Sequence, residues 1–182
     1  MIKKVLTGLG VVLLVTTLAL IYRVRSAPPA SPHDAVAYSQ GGLDIKVSYS
    51  RPFKKGRLIF GEKSAGALVP FGKYWRLGAN AATEISFSKA VQFAGKPLAA
   101  GTYRLYAIPG ATTWKVILNS QVGKFGFFEP DHEKDVLSVE VPSETAATSI
   151  EQFTIRVSGE PSAASLEFSW DTTTVRIPVV AS

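Results

Sequence analysis

Short runs of alternating apolar and polar residues constrain the fold of this chain more than any other feature. In the run Leu43–Tyr49 every second residue is apolar, and the same holds for Leu137–Val141, Phe153–Val157, Leu166–Trp170 and Val175–Val179. Successive side chains of a β-strand point to opposite faces, so this period of two predicts strands with one buried face and one solvated face. We find no heptad pattern and no long helical period.

Further strands are predicted where apolar runs are less regular and are bounded by turn residues. The candidates are Arg57–Phe60, Glu84–Ser88, Val91–Ala94, Thr102–Ile108 and Trp114–Asn119. About ten short strands of this kind predict an all-β fold, an antiparallel β-sandwich, with a closed β-barrel as the alternative. The sandwich domain is expected over residues 36–182, after a Pro-rich tether over 26–35 and a membrane anchor or signal sequence over 1–25.

The N-terminal segment predicts attachment to a membrane. Between Lys4 and Arg23 lie 18 uncharged residues, Val5–Tyr22, and a helix of that length spans roughly 27 Å, enough for the hydrocarbon core of a bilayer. We expect one N-terminal transmembrane helix that acts as an uncleaved signal anchor. The alternative is a cleaved signal peptide and a secreted protein. That alternative is disfavoured because a cleavage after Ala27 would place Arg25 at the −3 position.

The charges around this segment bear on its orientation. Lys3 and Lys4 stand on one side, and Arg23 and Arg25 stand on the other, so the positive-inside rule gives only a small bias. We expect the N-terminus in the cytoplasm and the β-domain on the extracytoplasmic side of the cytoplasmic membrane. The absence of cysteine is compatible with either compartment.

Net charge and composition exclude several classes of protein. The 182 residues include 20 Lys and Arg and 14 Asp and Glu, a net charge of +6, but four of these six units lie within the first 26 residues. The remainder is nearly neutral and carries no recognition-helix or aromatic-basic RNA motif, so we expect no nucleic-acid partner. With no cysteine, a disulfide scaffold and a Cys-ligated metal site are excluded. No Gly-rich phosphate loop is present, and we expect no cofactor.

The charges of the domain are unevenly distributed along the chain. Residues 46–76 contain eight basic residues and one acidic residue, whereas residues 129–171 contain ten acidic residues and two basic ones. One interpretation is that the two segments lie close together and neutralise each other. The other is a basic patch that binds an anionic ligand.

A series of motifs resembles a bacterial family of domains of unknown function, number 2911. The first blocks are Tyr49–Pro52, Lys55–Arg57, Ile59–Gly61, Leu68–Lys73, Trp75–Arg76 and Gly78–Asn80, and the later ones are Leu98–Tyr103, Ile108–Gly110 and Leu166–Trp170. The resemblance covers roughly residues 36–180 and implies secreted or envelope-associated relatives, but no activity. The segment Glu62–Ala67 departs from it as an insertion.

Basic, aromatic and amide side chains around the long connection Gly61–Thr83 form a candidate ligand site. The candidates are Arg51, Arg57, Lys73, Trp75, Arg76, Asn80 and Thr83, with Tyr49 beside them. Guanidinium groups bind carboxylates and phosphates through paired hydrogen bonds, and aromatic rings stack on sugars. These residue types together indicate an anionic or glycan ligand.

The same residues also have a purely structural interpretation. Tyr49 is in register with the apolar positions of its strand and so belongs in the core. Trp75 is expected to close one end of the sandwich, with Arg76 either paired to Glu84 or bonded to loop carbonyls, and Asn80 is expected to complete a turn. The sequence alone leaves both interpretations open.

Catalytic and metal-binding residues are not identified by sequence. Asp131–Glu133 contains His132, but three adjacent residues cannot all face one ion, and His33 is placed in the tether. We therefore expect no metal site, and His132 to be a solvated surface residue. A nucleophilic triad is disfavoured because the domain has only this one histidine.

Three functions are consistent with the sequence. The preferred one is a membrane-anchored binding module that recognises an anionic small molecule, a glycan or an envelope protein through the Arg- and Trp-rich loop. The alternatives are a structural or assembly protein of the envelope that uses its edge strands and a carboxylate- or metal-dependent hydrolase.

Overall fold

The computed structural model describes residues 14–20, 22–23, 29–160 and 162–182. Residues 14–20 and 22–23 are helical. The rest of the predicted anchor and residues 26–28 of the predicted tether lie outside the described residues. No helix in the described part of the chain combines the length and the apolar character needed to cross a membrane. A compact unit spans Ser31–Ser182.

The described residues of this unit form eleven strands. They are β1 (His33–Gln40), β2 (Leu43–Ser50), β3 (Phe60–Gly61), β4 (Val69–Pro70), β5 (Thr83–Phe87), β6 (Val91–Phe93), β7 (Lys96–Leu98), β8 (Gly101–Ile108), β9 (Thr113–Asn119), β10 (Asp135–Ser158) and β11 (Ala164–Ala181). Two 3-10 turns, Lys63–Ala65 and His132–Lys134, accompany them. The prediction of an all-β domain is confirmed.

Nine strands follow one another in the order β1-β2-β5-β8-β9-β10-β11-β6-β7, and all neighbours are antiparallel. β10 joins the two layers: Asp135–Pro142 pairs with β9, and Ser143–Ser158 pairs with β11. The register shifts twice between Thr145 and Thr154, where the strand bends. The order ends in β1 and β7, so in the described residues the sheet does not close and the barrel alternative is wrong.

Two predictions about strand limits are corrected. The runs around Val139 and Ile155 belong to the single strand β10, because the polar stretch between them continues the pairing with β11. β1 begins at His33, within the predicted tether, and pairs along its whole length with β2. The tether prediction missed this strand because its own side chains alternate only weakly.

The alternating apolar residues form the core. Leu43, Ile45, Val47 and Tyr49 of β2 are buried, and so are the apolar positions of β11, namely Leu166, Phe168, Trp170, Val175, Ile177 and Val179. Each strand thus buries one face between the layers, as the period of two predicts.

Candidate functional site

Arg51 is part of the scaffold that holds the two layers together. Its Nε donates to the Phe153 carbonyl at 3.1 Å, and one Nη donates to Thr154 Oγ1 at 2.8 Å, both on β10. The other Nη lies 3.1 Å from the Asp34 carboxylate on β1. Its donors are directed to three partners of the fold, and this geometry agrees with the structural interpretation of Arg51.

Arg57 lies on the surface and caps its own loop. Its Nε donates to the Lys54 carbonyl at 2.9 Å, and Nη2 donates to the Phe53 carbonyl. The neighbouring Lys54 reaches across to Asp171, with 2.5 Å between Nζ and Oδ1. This pair joins the basic segment to the acidic segment, as the interpretation of mutual neutralisation requires.

Trp75 lies in an aromatic cluster between the layers. It is 6% exposed, it stacks on Trp170 with 5.8 Å between ring centroids, and it meets Phe60, Trp114 and Phe153 edge-on. Its backbone exchanges two hydrogen bonds with Ala107 of β8. Because its rings are covered by these neighbours, Trp75 offers no free ring face for stacking a ligand.

Asn80 and Thr83 shape the end of the long connection. Thr83 is fully buried, and its Oγ1 donates to the Leu77 carbonyl at 2.7 Å. This bond fixes Leu77 at a φ of 52°, in the left-handed region. Asn80 has a φ of 58°, and its Nδ2 donates to the Ser31 carbonyl at 3.3 Å. Both side chains therefore contribute to the backbone path, and for Asn80 this agrees with the structural interpretation.

Arg76 differs from the other two arginines. Among the described residues no hydrogen bond or ion pair engages its guanidinium, whose carbon lies 5.8 Å from the centroid of the Phe127 ring. The predicted pairing with Glu84 is wrong, because Glu84 Oε1 accepts from the backbone N–H of Gly123 instead. Arg76 thus keeps its donors available for an external anion.

A cleft beside Arg76, here called the Arg76 cleft, is formed by two loops. Its walls are Leu68, Val69, Pro70, Tyr74, Trp75, Arg76 and Phe127. The volume is about 180 Å³, below the range of roughly 300–1,000 Å³ that is typical of sites for drug-sized ligands. Lys73 is exposed and lies on the same loop. The cleft therefore suits a small group and offers it one guanidinium within apolar walls.

The long loop that supplies Phe127 was not identified from the sequence. Phe125, Phe127 and Phe128 are 60%, 63% and 70% exposed. The sequence does carry a signal for them, because three of the four residues 125–128 are phenylalanines in a turn-rich stretch. Solvent-exposed loops rarely carry such a concentration of large apolar side chains.

A buried polar cluster anchors this loop to β8. Arg104 is 2% exposed, and its Nη2 donates to Tyr74 Oη and to the Phe128 carbonyl, each at 2.5 Å. Tyr74 Oη in turn donates to the Gly126 carbonyl at 2.8 Å. Burial raises the pKa of Tyr74, against the opposing effect of Arg104, and the phenol stays protonated. The loop is thus held through two of its own carbonyls.

Tyr106, which also lies on β8, contributes its hydroxyl to a second hydrogen-bond network, at the end of the loop. Tyr106 Oη donates to Asp135, 2.8 Å from Oδ2, and lies 3.0 Å from His132 Nδ1. Asn119 Nδ2 donates to Asp135 Oδ1 at 2.7 Å. Burial and then the Asp135 carboxylate raise the pKa of Tyr106. A phenol held protonated is not a base near neutral pH, and the network fixes the end of the loop.

The prediction that His132 is a surface residue among acidic side chains is confirmed, with Asp135 and Glu129 beside its ring. Its side chain is 56% exposed, yet both ring nitrogens have partners, since Nε2 lies 3.4 Å from Glu129 Oε2. Among the described residues no group of three His, Asp and Glu side chains is arranged to hold a metal ion.

A family model described as "Protein of unknown function (DUF2911)" matches residues 31–179. The match confirms the resemblance seen in the motifs and covers every strand except the last two residues of β11. No curated protein and no solved structure matches the chain.

Proposed function

We propose a binding function for this chain, which belongs to the DUF2911 family of proteins of unknown function. The chain acts as a membrane-anchored module on the extracytoplasmic side and binds an anionic group in the Arg76 cleft. One observation carries the proposal: Arg76 is the predicted ligand-binding arginine whose guanidinium is unpaired among the described residues, and it lines a cleft.

The chemistry of the cleft indicates the kind of anion. A guanidinium binds a carboxylate or phosphate through two parallel hydrogen bonds. Leu68, Pro70 and Phe127 surround it with apolar surface, where such a bond competes with less water. A carboxylate on a small apolar body fits better than a glycan, because the one indole of the cleft, Trp75, is covered by its core neighbours.

The test is a titration of the full chain in detergent micelles with hexanoate and benzoate, followed by the backbone amide NMR signals of Leu68, Val69 and Tyr74, which line the cleft and are present in every variant. Arg76→Ala should weaken binding about tenfold or more, because one charged hydrogen bond contributes roughly 1.5–3 kcal/mol. Arg57→Ala is the matched control and should bind as the parent protein does. Equal affinity of the Arg76→Ala variant would refute the proposal.

The location is tested separately. A reporter that is active only in the cytoplasm, fused after Ser182, should be inactive, and one that is active only outside should be active. The reverse pattern would contradict the extracytoplasmic placement without bearing on the chemistry of the cleft.

A further inference from the structure

Exposed apolar side chains on the two loops beside the Arg76 cleft are here called the phenylalanine patch, defined as Leu68, Phe125, Phe127 and Phe128. Leu68 and Phe127 line the same cleft. Phe127 and Phe128 touch edge to face with 5.3 Å between ring centroids. Exposures of 44–70% for these four side chains mark a surface of the kind that contacts a partner or a membrane.

The backbone under the patch is fixed, so the exposed rings are presented by an ordered loop. Gly126 N donates to the Asn80 carbonyl at 3.0 Å, and Ala82 N donates to the Lys124 carbonyl at 3.2 Å. Phe125 forms an isolated bridge with Ala81. Together with the bonds from Arg104 and Tyr74, these contacts fix the backbone that carries the exposed rings. Binding through the rings therefore costs little further conformational entropy, because the loop is already ordered.

Three positive charges adjoin the patch. Lys73, Arg76 and Lys124 lie on its two loops, and among the described residues no hydrogen bond or ion pair engages their side chains. Two acids on neighbouring segments have partners of their own, since Glu84 accepts from Gly123 N and Glu129 Oε2 lies 3.4 Å from His132 Nε2. Aromatic rings bordered by cations are the pattern by which proteins rest on anionic membranes.

The patch lies at the end of the domain where the chain enters. Asn80 Nδ2 donates to the carbonyl of Ser31, the first residue of the compact unit, and the Asn80 carbonyl accepts from Gly126 in the patch loop. Eight residue steps separate Arg23 from Ser31, a distance of at most about 29 Å when fully extended. An anchor in the preceding segment would therefore keep this end of the domain close to the bilayer.

We propose that the phenylalanine patch contacts the surface of a bilayer that contains anionic lipids. In this contact the phenylalanine rings lie among the lipid head groups, and the three cations lie against lipid phosphates. A symmetric contact with a second copy is less favourable, because a two-fold axis would set the same three cations against each other. The proposal rests on the membrane attachment proposed above and not on anion binding at Arg76.

The experiment uses the absence of cysteine from the sequence. Phe128→Cys introduces a unique thiol on the patch, and Lys89→Cys introduces one at the opposite end of the β2–β5 pair. Each full-length variant is labelled with an environment-sensitive fluorophore. The labelled proteins are reconstituted into vesicles of phosphatidylcholine, alone or mixed with phosphatidylglycerol, with and without a lipid-borne quencher.

The probe at Phe128→Cys should shift to the blue and be quenched severalfold more than the probe at Lys89→Cys, most strongly in the phosphatidylglycerol vesicles. Equal quenching at both positions would overturn the proposal. A blue shift that grows with protein density but resists lipid-borne quenchers would also overturn it, in favour of a second copy or another protein. Failure of the chain to remain with the vesicles after alkaline washing would instead refute the attachment on which the proposal rests.

Discussion

The guanidinium of Arg51 lies 3.1 Å from the carboxylate of Asp34 and also bonds Phe153 and Thr154, so one side chain connects β1 to the second half of β10. Arg51→Ala should lower the free energy of unfolding by about 2 kcal/mol, since it removes a charged donor from partly buried acceptors. Urea unfolding measures this, with Arg57→Ala as a control that should change stability by less than about 0.5 kcal/mol. Equal losses in the two variants would contradict the connecting role of Arg51.

The second prediction concerns pH. Burial raises the pKa of Asp171, but hydrogen bonds from Lys54 and Ser149 outweigh it, so that the pKa lies below the ordinary value of 3.8. The ionised carboxylate therefore stabilises the fold above that value, and the contribution disappears as the pH falls through the lowered pKa.

Asp171→Asn is the appropriate variant because the φ of Asp171 is 52° and asparagine adopts that backbone readily. Unfolding curves should show the variant less stable than the parent protein at pH 7, with the difference shrinking below about pH 4 as the parent carboxylate becomes protonated. A difference that stays constant down to pH 2 would show that the charge of Asp171 contributes nothing.

Local sequence patterns predicted the strongly alternating strands, but they missed β1 and did not predict the partners of the arginines. The period of two in β2 and β11 depends on neighbouring residues, and it predicted the buried side chains of both strands. Arg51 and Phe153 are 102 positions apart, and no local pattern encodes which distant carbonyl a guanidinium will meet.

The candidate site likewise depends partly on local sequence and partly on residues that are distant in the chain. The sequence singled out Arg76 together with Arg51 and Arg57 because the three side chains are chemically identical. What distinguishes Arg76 is Phe127, whose ring, 51 positions further along the chain, lies beside its guanidinium. The sequence did not predict that Arg104 and Tyr74 anchor the loop that carries Phe127. A polar residue that is buried in a strand gives the same alternating pattern as one that faces solvent.

Gly78 provides a third prediction, on the backbone of the long connection. Its φ is 148°, and a Cβ atom placed on it would lie 2.7 Å from the Ser50 carbonyl oxygen. Gly78→Ala should therefore destabilise the fold by more than the roughly 1 kcal/mol that an unfavourable φ costs by itself.

Gly66→Ala is the matched control for this substitution. Gly66 has a φ of 75°, but no atom lies within 4 Å of the added carbon, so the variant reports the conformational cost alone. In thermal unfolding, the melting temperature of Gly78→Ala should be clearly lower than that of Gly66→Ala. The same melting temperature for both would mean that the connection shifts to relieve the contact with Ser50.

The network around Tyr106 leads to the last prediction. Tyr106→Phe removes the hydroxyl that donates to Asp135 and leaves that carboxylate with Asn119 and, at 3.3 Å, His132. The free energy of unfolding should fall by about 2 kcal/mol, because a hydrogen bond to a charged group contributes roughly 1.5–3 kcal/mol. Tyr103→Phe, which removes a hydroxyl bonded to the neutral Ala99 carbonyl, should cost only about 1 kcal/mol. Urea unfolding measures both losses, and amide exchange over residues 131–135 should accelerate only in the Tyr106 variant, because that hydroxyl fixes the end of the patch loop. Unchanged exchange there, or a larger loss for Tyr103→Phe, would contradict this role of Tyr106.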